Sequence, residues 1–505
     1  MREDAAAFGA MTGEESEARL GELLVIGVPG TELTPELGDR LRAIGPSGVL
    51  FFSSNFPDPE TSARFARAVH EAIGTPDRPA LVALDEEGGI VSRLSQFWEV
   101  PPNARAVAAS GGPPLVKDLA YRTGRRLLAL GVNLDFAPCL DIDSNPANPV
   151  IGVRSFGETV SQVSACGRAS LEGLQAAGLI GVAKHFPGHG DTTLDSHVTL
   201  PRCDADLTQL RMRELKPFEA ALQWGVPLIM TSHVLFPALD PDPKRPSTLS
   251  PAVLTGLLRE HMGFQGVVIT DALEMAAVRG IADWGEVAVR AVEAGADLLL
   301  YSEFEPGPGE ALAALGRALR SGRLTQERIG ASLARIRKLR AGSAARPQPL
   351  TRALLAEARD WIPPAELDRI AAGAMRVLRQ GAGGIPLRGR VDVLEVGRSE
   401  SRAPMAELLR ARGLSAHEHG PEPAGWPKHI EGSALLTVAA RASLGPEEER
   451  TARAWLRRFP ETVAVACLNP HVADRWEEVR TLLATFDNTP ASRRALAARL
   501  AGQPV

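Results

Sequence analysis

The chain has 505 residues, 44% of them apolar and 23% charged, with a formal net charge of −5. That length favours two domains over one, and the composition is that of an ordinary globular protein with ample material for a core. So small a charge gives no support to nucleic-acid binding or to a cationic membrane-facing surface, and both are set aside.

The opening stretch, MREDAAAFGAMTGEESEARL, carries acids early and lacks the basic start and apolar run of a signal peptide. No uninterrupted run of ~18 apolar residues reads as a membrane span. From about residue 20 to 340, short apolar runs alternate with amphipathic stretches. The runs are 23–28, 48–52, 80–84, 132–137, 179–183, 226–230, 266–269 and 296–300. They are rich in Val, Ile and Leu with little polar alternation, as expected of parallel strands covered on both faces. Helix-like segments lie between them at 59–73, 119–130, 160–177 and 207–224. A strand–helix alternation repeated eight times predicts a closed (β/α)8 (TIM) barrel rather than an open sheet.

Polar residues give a second, independent reason. Asn55, Asp85, Asp141 with Asp143, Lys184 with His185, His233, Asp271, and Tyr301 with Glu303 all follow the apolar runs directly. In a parallel barrel these positions share the C-terminal face, where active sites of this fold sit. An amphipathic stretch at 324–339 is followed by a Pro- and Arg-bearing segment, 341–352, that reads as a linker. Further strands are expected at 391–396, 435–439, 462–468 and 482–486. The expected division is therefore a barrel over 1–340, a linker over 341–360, and a smaller, mostly parallel α/β domain over 361–505. Cys139, Cys166, Cys203 and Cys467 form no C-x-x-C pair and read as buried thiols of a reducing compartment, which places the protein in the cytoplasm.

The most informative stretch is KHFPGHGDTTLDSH, Lys184 to His197, a Gly- and Pro-containing loop after a strand. His185, His189 and Asp191 are metal-type donors in a short span, but Lys184 beside them disfavours a divalent cation. Proton transfer is the better reading. In Asp195-Ser196-His197 the carboxylate stands two positions before the imidazole and suits the task of fixing its tautomer and raising its basicity. Asp271, at the end of the apolar run in GVVITDALEM, is placed either as a carboxylate nucleophile or as the N-cap of the segment after it. His189 and Asp191 read as residues that order the loop, and His233 as either pocket lining or a satisfied core histidine.

These residues carry a family resemblance. DEEGGIVSRL (85–94), IGVRSFGE (151–158), the KHFPGHGDTTLDSH block and ITDALEM (269–275) resemble, in order, glycoside hydrolase family 3. Within that family the chain is similar to the bacterial β-N-acetylglucosaminidase (β-hexosaminidase) branch. TSHVLFPALDP (231–241) and the STLSP run (247–251) add to the likeness. The resemblance implies that Asp271 is the nucleophile and that Asp195 and His197 are the dyad that replaces a glutamic acid in this branch. It also implies that Asp85, Arg93, Arg154, Lys184 and His185 hold sugar hydroxyls. Asp271-Ala272, where many single-domain relatives have two aspartates, resembles the two-domain type.

The activity implied is removal of terminal β-linked N-acetylglucosamine from a carbohydrate substrate, peptidoglycan fragments in particular, with retention and with no metal or other cofactor. A phosphorylase or a β-glucosidase of the same family is the enzyme alternative, and an inactive sugar-binding barrel the non-enzyme one. Oligomeric state is not encoded in any of these motifs.

Overall fold

The computed structural model describes residues 13–76, 78–196, 199–342, 351–381, 384–397, 403–474 and 476–505. Of these, the residues up to Glu86, Ala120–Asp141 and Gly167–Trp361 form one compact unit. Glu87–Leu119, Ile142–Cys166 and Ile362–Val505 form the other.

The strands of the first unit are β1 (Leu24–Gly27), β2 (Gly48–Leu50), β3 (Leu81–Leu84), β4 (Leu134–Asp135), β5 (Ile180–Gly181), β6 (Ala183–Phe186), β7 (Leu228–Thr231), β8 (Val267–Ile269) and β9 (Leu299–Tyr301). They pair in the orders β5-β4-β3-β2-β1-β9 and β6-β7-β8, and all of these pairs are parallel. The two sets close on each other. β5 and β6 are stretches of one strand on either side of Val182, whose N–H donates to Ala137 O at 2.8 Å. A parallel bridge from Ile269 to Leu298 joins β8 to the start of β9. The product is the expected (β/α)8 barrel, and each predicted apolar run overlaps one of its strands. Strand residues are buried throughout, which is why the runs show no polar alternation.

Helix boundaries follow ordinary capping chemistry. Pro59–Ile73 begins where the Asp58 side chain accepts the Thr61 N–H at 2.8 Å. Thr34, Asp283 and Thr325 cap Pro35–Ile44, Trp284–Ala294 and Gln326–Ala341 in the same way. The single helical stretch expected over 207–224 is two helices, Leu207–Met212 and Lys216–Trp224. Pro217 has no N–H to give to Arg213 O, so one helix cannot run through and a second starts at the proline. The stretch expected at 119–130 is the end of a longer helix, Ala104–Ala129, broken at Gly112 (φ 63°) before Pro113 and Pro114. Within the expected linker, Arg352–Asp360 is helical, capped by Thr351, while 343–350 lie outside the described residues. That helix is fastened to the barrel unit by buried Arg126, which donates to Ala358 O (2.9 Å) and Arg359 O (2.7 Å).

The second unit holds β10 (Arg376–Arg379), β11 (Arg390–Gly397), β12 (Ser415–His419), β13 (Ser433–Ala439), β14 (Val463–Ala466) and β15 (Thr481–Ala484), in the order β10-β15-β14-β13-β11-β12. The neighbours are parallel except β10 with β15. Four of these strands are the predicted ones. The two that sequence missed, β10 and β12, are the edges, where the strand is mostly exposed and reads as polar. One face of the sheet is covered by Met405, Leu409, Ala495 and Leu496, the other by Trp426, Trp455 and Trp476. The stretch after β3 joins this sheet through Asn103, whose side chain donates to Asp487 Oδ1 at 2.6 Å, and Glu99, which pairs with Arg494 at 2.7 Å. The stretch after β4 joins it at Pro146, whose carbonyl accepts from the Asn469 side chain at 2.9 Å.

Candidate active site

The ends of β3, β4, β6 and β8 supply most of the candidate residues. Asp85 directly follows β3, and Lys184 and His185 lie within β6. The Lys184 ammonium, buried, donates to Asp85 Oδ1 at 2.8 Å. Asp85 keeps about a fifth of its side chain exposed (20%), so the pair has one face turned to solvent.

Asp141 was named from sequence only as a strand-end acid, and it proves to be a hub. The chain after β4 runs beside β6, with Leu140 N–H donating to Lys184 O at 2.6 Å, and this brings the Asp141 carboxylate against the next residue. It lies 2.7 Å from His185 Nδ1 through Oδ2, accepts the His189 N–H at 2.6 Å through Oδ1, and takes the Cys139 thiol at 3.1 Å. Burial pushes this carboxyl up. The charge and hydrogen bond of His185, the charge of His189 and the bond from Cys139 outweigh burial and hold it at about 2. Asp141 is therefore ionised, and it fixes the His185 ring with Nδ1–H toward it. Donor atoms of Cys139, Asp141 and His185 lie within 4.8 Å of one another, as metal ligands would. Their mutual hydrogen bonds already account for that closeness.

Asp271 stands two residues beyond β8, half-buried, with the Ala272 N–H donating to Oδ1 at 2.8 Å. Burial acts to raise this carboxyl as well. His233, His185, the Ala272 N–H and Lys184 overcome it, and Asp271 sits below the ordinary carboxylate range. Of its two sequence readings, the N-cap is not the one found. The next helix, Ala276–Arg279, has Met275 at its N-cap position with no side-chain cap. His233 is fully buried and satisfied: Nε2–H donates to Ala272 O at 2.9 Å, and Nδ1 lies 2.8 Å from Thr248 Oγ1. It is a core histidine whose carbonyl partner belongs to the residue after the nucleophile candidate.

The loop after β6 holds the other candidates. Asp195 is half-buried, and its carbonyl accepts the Thr199 N–H at 3.0 Å. His197 lies outside the described residues. Asp191 pairs with Arg213 at 2.5 Å, and Arg213 also holds Glu214 at 2.5 Å, so Asp191 ties the loop to Arg213. Burial raises the Glu214 carboxyl to about 7 against the pull of Arg213. Arg93 and Arg154 belong to the second compact unit. There Arg154 makes a two-pronged pair with Glu87, at 2.8 and 2.7 Å, while Arg93 is half-buried. Glu87 was quoted in DEEGGIVSRL without a role. Its signal was its position two residues after Asp85.

Comparison with known proteins identifies the family. Residues 16–339 match the family model described as the glycosyl hydrolase family 3 N terminal domain. Beta-hexosaminidase A of Pseudoalteromonas piscicida is 34% identical over 336 residues, which are 61% of this chain and 56% of that relative. The beta-hexosaminidase of Methylococcus capsulatus is 36% identical over 289 residues, 57% of this chain and 84% of the relative. A family 3 beta-N-acetylglucosaminidase from Paenibacillus sp. str. FPU-7 superposes with a TM-score of 0.84 at 33% identity, covering 97% of each chain. No helix among the described residues is long and apolar enough to cross a membrane.

Proposed function

Because this chain belongs to glycosyl hydrolase family 3, we propose that it is a retaining β-N-acetylglucosaminidase that removes terminal β-linked N-acetylglucosamine. The observation that carries this reading is Asp271, a carboxylate kept ionised at a barrel strand end by His185, His233 and Lys184. In the first step an Asp271 oxygen bonds to the anomeric carbon as the bond to the leaving oxygen breaks and His197, as imidazolium, protonates that oxygen. In the second, His197, oriented by Asp195, takes a proton from water as the water oxygen bonds to the anomeric carbon and the bond to the Asp271 oxygen breaks, which releases the sugar with its β configuration restored. Asp85, Lys184 and His185, with Arg93 and Arg154, are the groups proposed to hold the sugar hydroxyls, carboxylates accepting from them and cations donating.

The four cysteines, buried and in no disulfide, support a reducing compartment, hence the cytoplasm, with peptidoglycan fragments as the substrate source. The test is nitrophenol release from the β-N-acetylglucosaminide and the β-glucoside side by side. Preference for the N-acetyl sugar is expected, with kcat/KM falling on the order of 10⁴-fold or more in Asp271→Asn. Near-normal turnover by that variant overturns the nucleophile. Free N-acetylglucosamine, not its 1-phosphate, is the product expected in phosphate buffer.

A further inference from the structure

His189 is a histidine of the loop after β6 to which the proposed mechanism gives no part. It is buried, as are Thr192 and Ser196. Each of its polar groups is directed at a different anchor. Its backbone N–H donates to the ionised Asp141, which ties it to the barrel frame beneath β4 and β6. Its ring Nδ1 lies 3.1 Å from Thr192 Oγ1, and Nε2 lies 3.2 Å from Ser196 Oγ.

A hydroxyl oxygen thus faces each ring nitrogen, and a hydroxyl serves as donor or acceptor there. Thr192 Oγ1 also lies 3.2 Å from His189 O. Ser196 stands between Asp195 and His197 in the chain, and its carbonyl accepts the Ala277 N–H (3.3 Å) from the short helix that follows Asp271. His189 is therefore held at its backbone by Asp141 and at its ring by Ser196, and the Ser196 carbonyl is held by the segment that follows Asp271. The outer turn of the loop is held separately by the Asp191–Arg213 pair.

We infer that His189 is a positioning residue: with its backbone N–H held by Asp141 and its imidazole bonded to the buried Ser196 hydroxyl, it sets where Ser196 and the neighbouring Asp195 stand relative to the segment that follows Asp271. The inference rests on the acid/base role proposed for Asp195 and His197. Loss of the ring removes its direct bond to the Ser196 hydroxyl and leaves the loop without that constraint. A proton donor displaced by about 1 Å forfeits much of its effect.

The experiment compares His189→Ala, Ser196→Ala, the double variant and His197→Ala on aryl β-N-acetylglucosaminides of graded leaving-group pKa, with Tm recorded for each. Proton transfer contributes about 10²–10⁴-fold. Losing its positioning should lower kcat/KM about 10- to 100-fold on the poorest leaving groups and less than about threefold on the most activated. KM should stay near the parent value. His189→Ala and Ser196→Ala act on one path, so the double variant should lose no more than the worse single one. Equal losses across the series, or additive losses in the double variant, overturn the inference. If His189→Ala does not fold, Ser196→Ala alone, which removes only a hydroxyl, carries the same slope test. A flat series for His197→Ala itself sinks the acid/base reading. A steep series for His197→Ala with flat ones for His189→Ala and Ser196→Ala sinks only the positioning role.

Discussion

The barrel buries ionic groups at both of its ends, and the two clusters are built differently. At the N-terminal end, Asp297 lies just ahead of β9 with no exposed surface. It is met by Arg259, by Arg335 at 3.1 Å and by Arg328 at 3.6 Å, and it also accepts Ser332 Oγ at 2.6 Å and the Val268 N–H at 3.0 Å. The arginines turn their remaining donors on backbone carbonyls: Arg259 on Phe264 O (3.1 Å), Arg328 on Val292 O (3.0 Å) and Ala296 O (2.6 Å). At the C-terminal end, Asp85 and Asp271 each keep a face open. Charges surrounded by frame groups hold the barrel together, and charges left with an open face are available to a ligand. The same residue types thus carry opposite duties according to the end of the strand they occupy.

The largest expected effect breaks the N-terminal cluster. Asp297→Ala leaves three guanidinium groups around an empty carboxylate position. Removing one partner of a buried ionic cluster costs about 3–5 kcal/mol. Tm should fall by roughly 5–8 °C, while kcat/KM of the folded enzyme at 25 °C stays within about twofold. A variant that keeps its Tm and loses activity would reverse the assignment of duties.

Lys184→Met is the converse. It strips Asp85 of its buried partner at 2.8 Å and removes one of the cations that keep Asp271 ionised. Truncating such a partner at a binding surface costs about 2–5 kcal/mol, so kcat/KM should drop on the order of 100-fold or more. Tm should move by only a few degrees, because Asp85 can turn its open face to water. A Tm loss as large as that of Asp297→Ala would show that this pair belongs to the frame.

The contrast also explains what sequence made legible. Strand-end position alone gathered Asp85, Lys184, His185 and Asp271, because period and chain direction fix which end of a buried strand a polar residue follows. The eight runs and the fold were read the same way. Asp141 as hub and Asp297 as anchor were not, since what sets each apart is its partners. His185, His189, Arg259, Arg328 and Arg335 are brought to them by strand register and helix packing that no local pattern records. The break at Arg213 was open to anticipation from Pro217. The edge strands β10 and β12 were not, because exposure erases the apolar signal.

Glu214 lies between the two extremes, buried like Asp297 but sharing Arg213 with Asp191. Its carboxyl is raised from 4.5 to about 7. Between those two values the folded protein holds a proton that the unfolded chain has released, so stability falls as pH rises through this window and levels off above it. The gap sets a ceiling of about 3 kcal/mol, and relaxation around Arg213 should reduce the measured change to about 2 kcal/mol. Glu214→Gln should remove this slope and gain on the parent between pH 5 and pH 8 in urea unfolding. An unchanged slope would mean that Arg213 keeps Glu214 ionised throughout.

The smallest effect belongs to the surface counterpart of the Asp297 cluster. Arg323 reaches Glu286 at 2.7 and 2.9 Å and Glu293 at 2.8 and 2.9 Å, as many close contacts as the buried site offers. The Arg323 hydrogen bonds, helped by Arg290, hold the Glu286 carboxyl at about 2. The direction implies stability that is present above the ordinary glutamate range and lost as pH falls toward that value. Water and salt reach all three side chains, however, and exposed pairs of this kind contribute about 0–1 kcal/mol. Arg323→Ala should therefore lower Tm by no more than about 2 °C, and raising the salt to 1 M, where screening acts within about 3 Å, should erase most of that difference. The loss in Asp297→Ala should persist at the same salt. If instead both losses shrink alike, the number of contacts and not their burial governs these clusters, and the distinction between the frame and the open mouth fails.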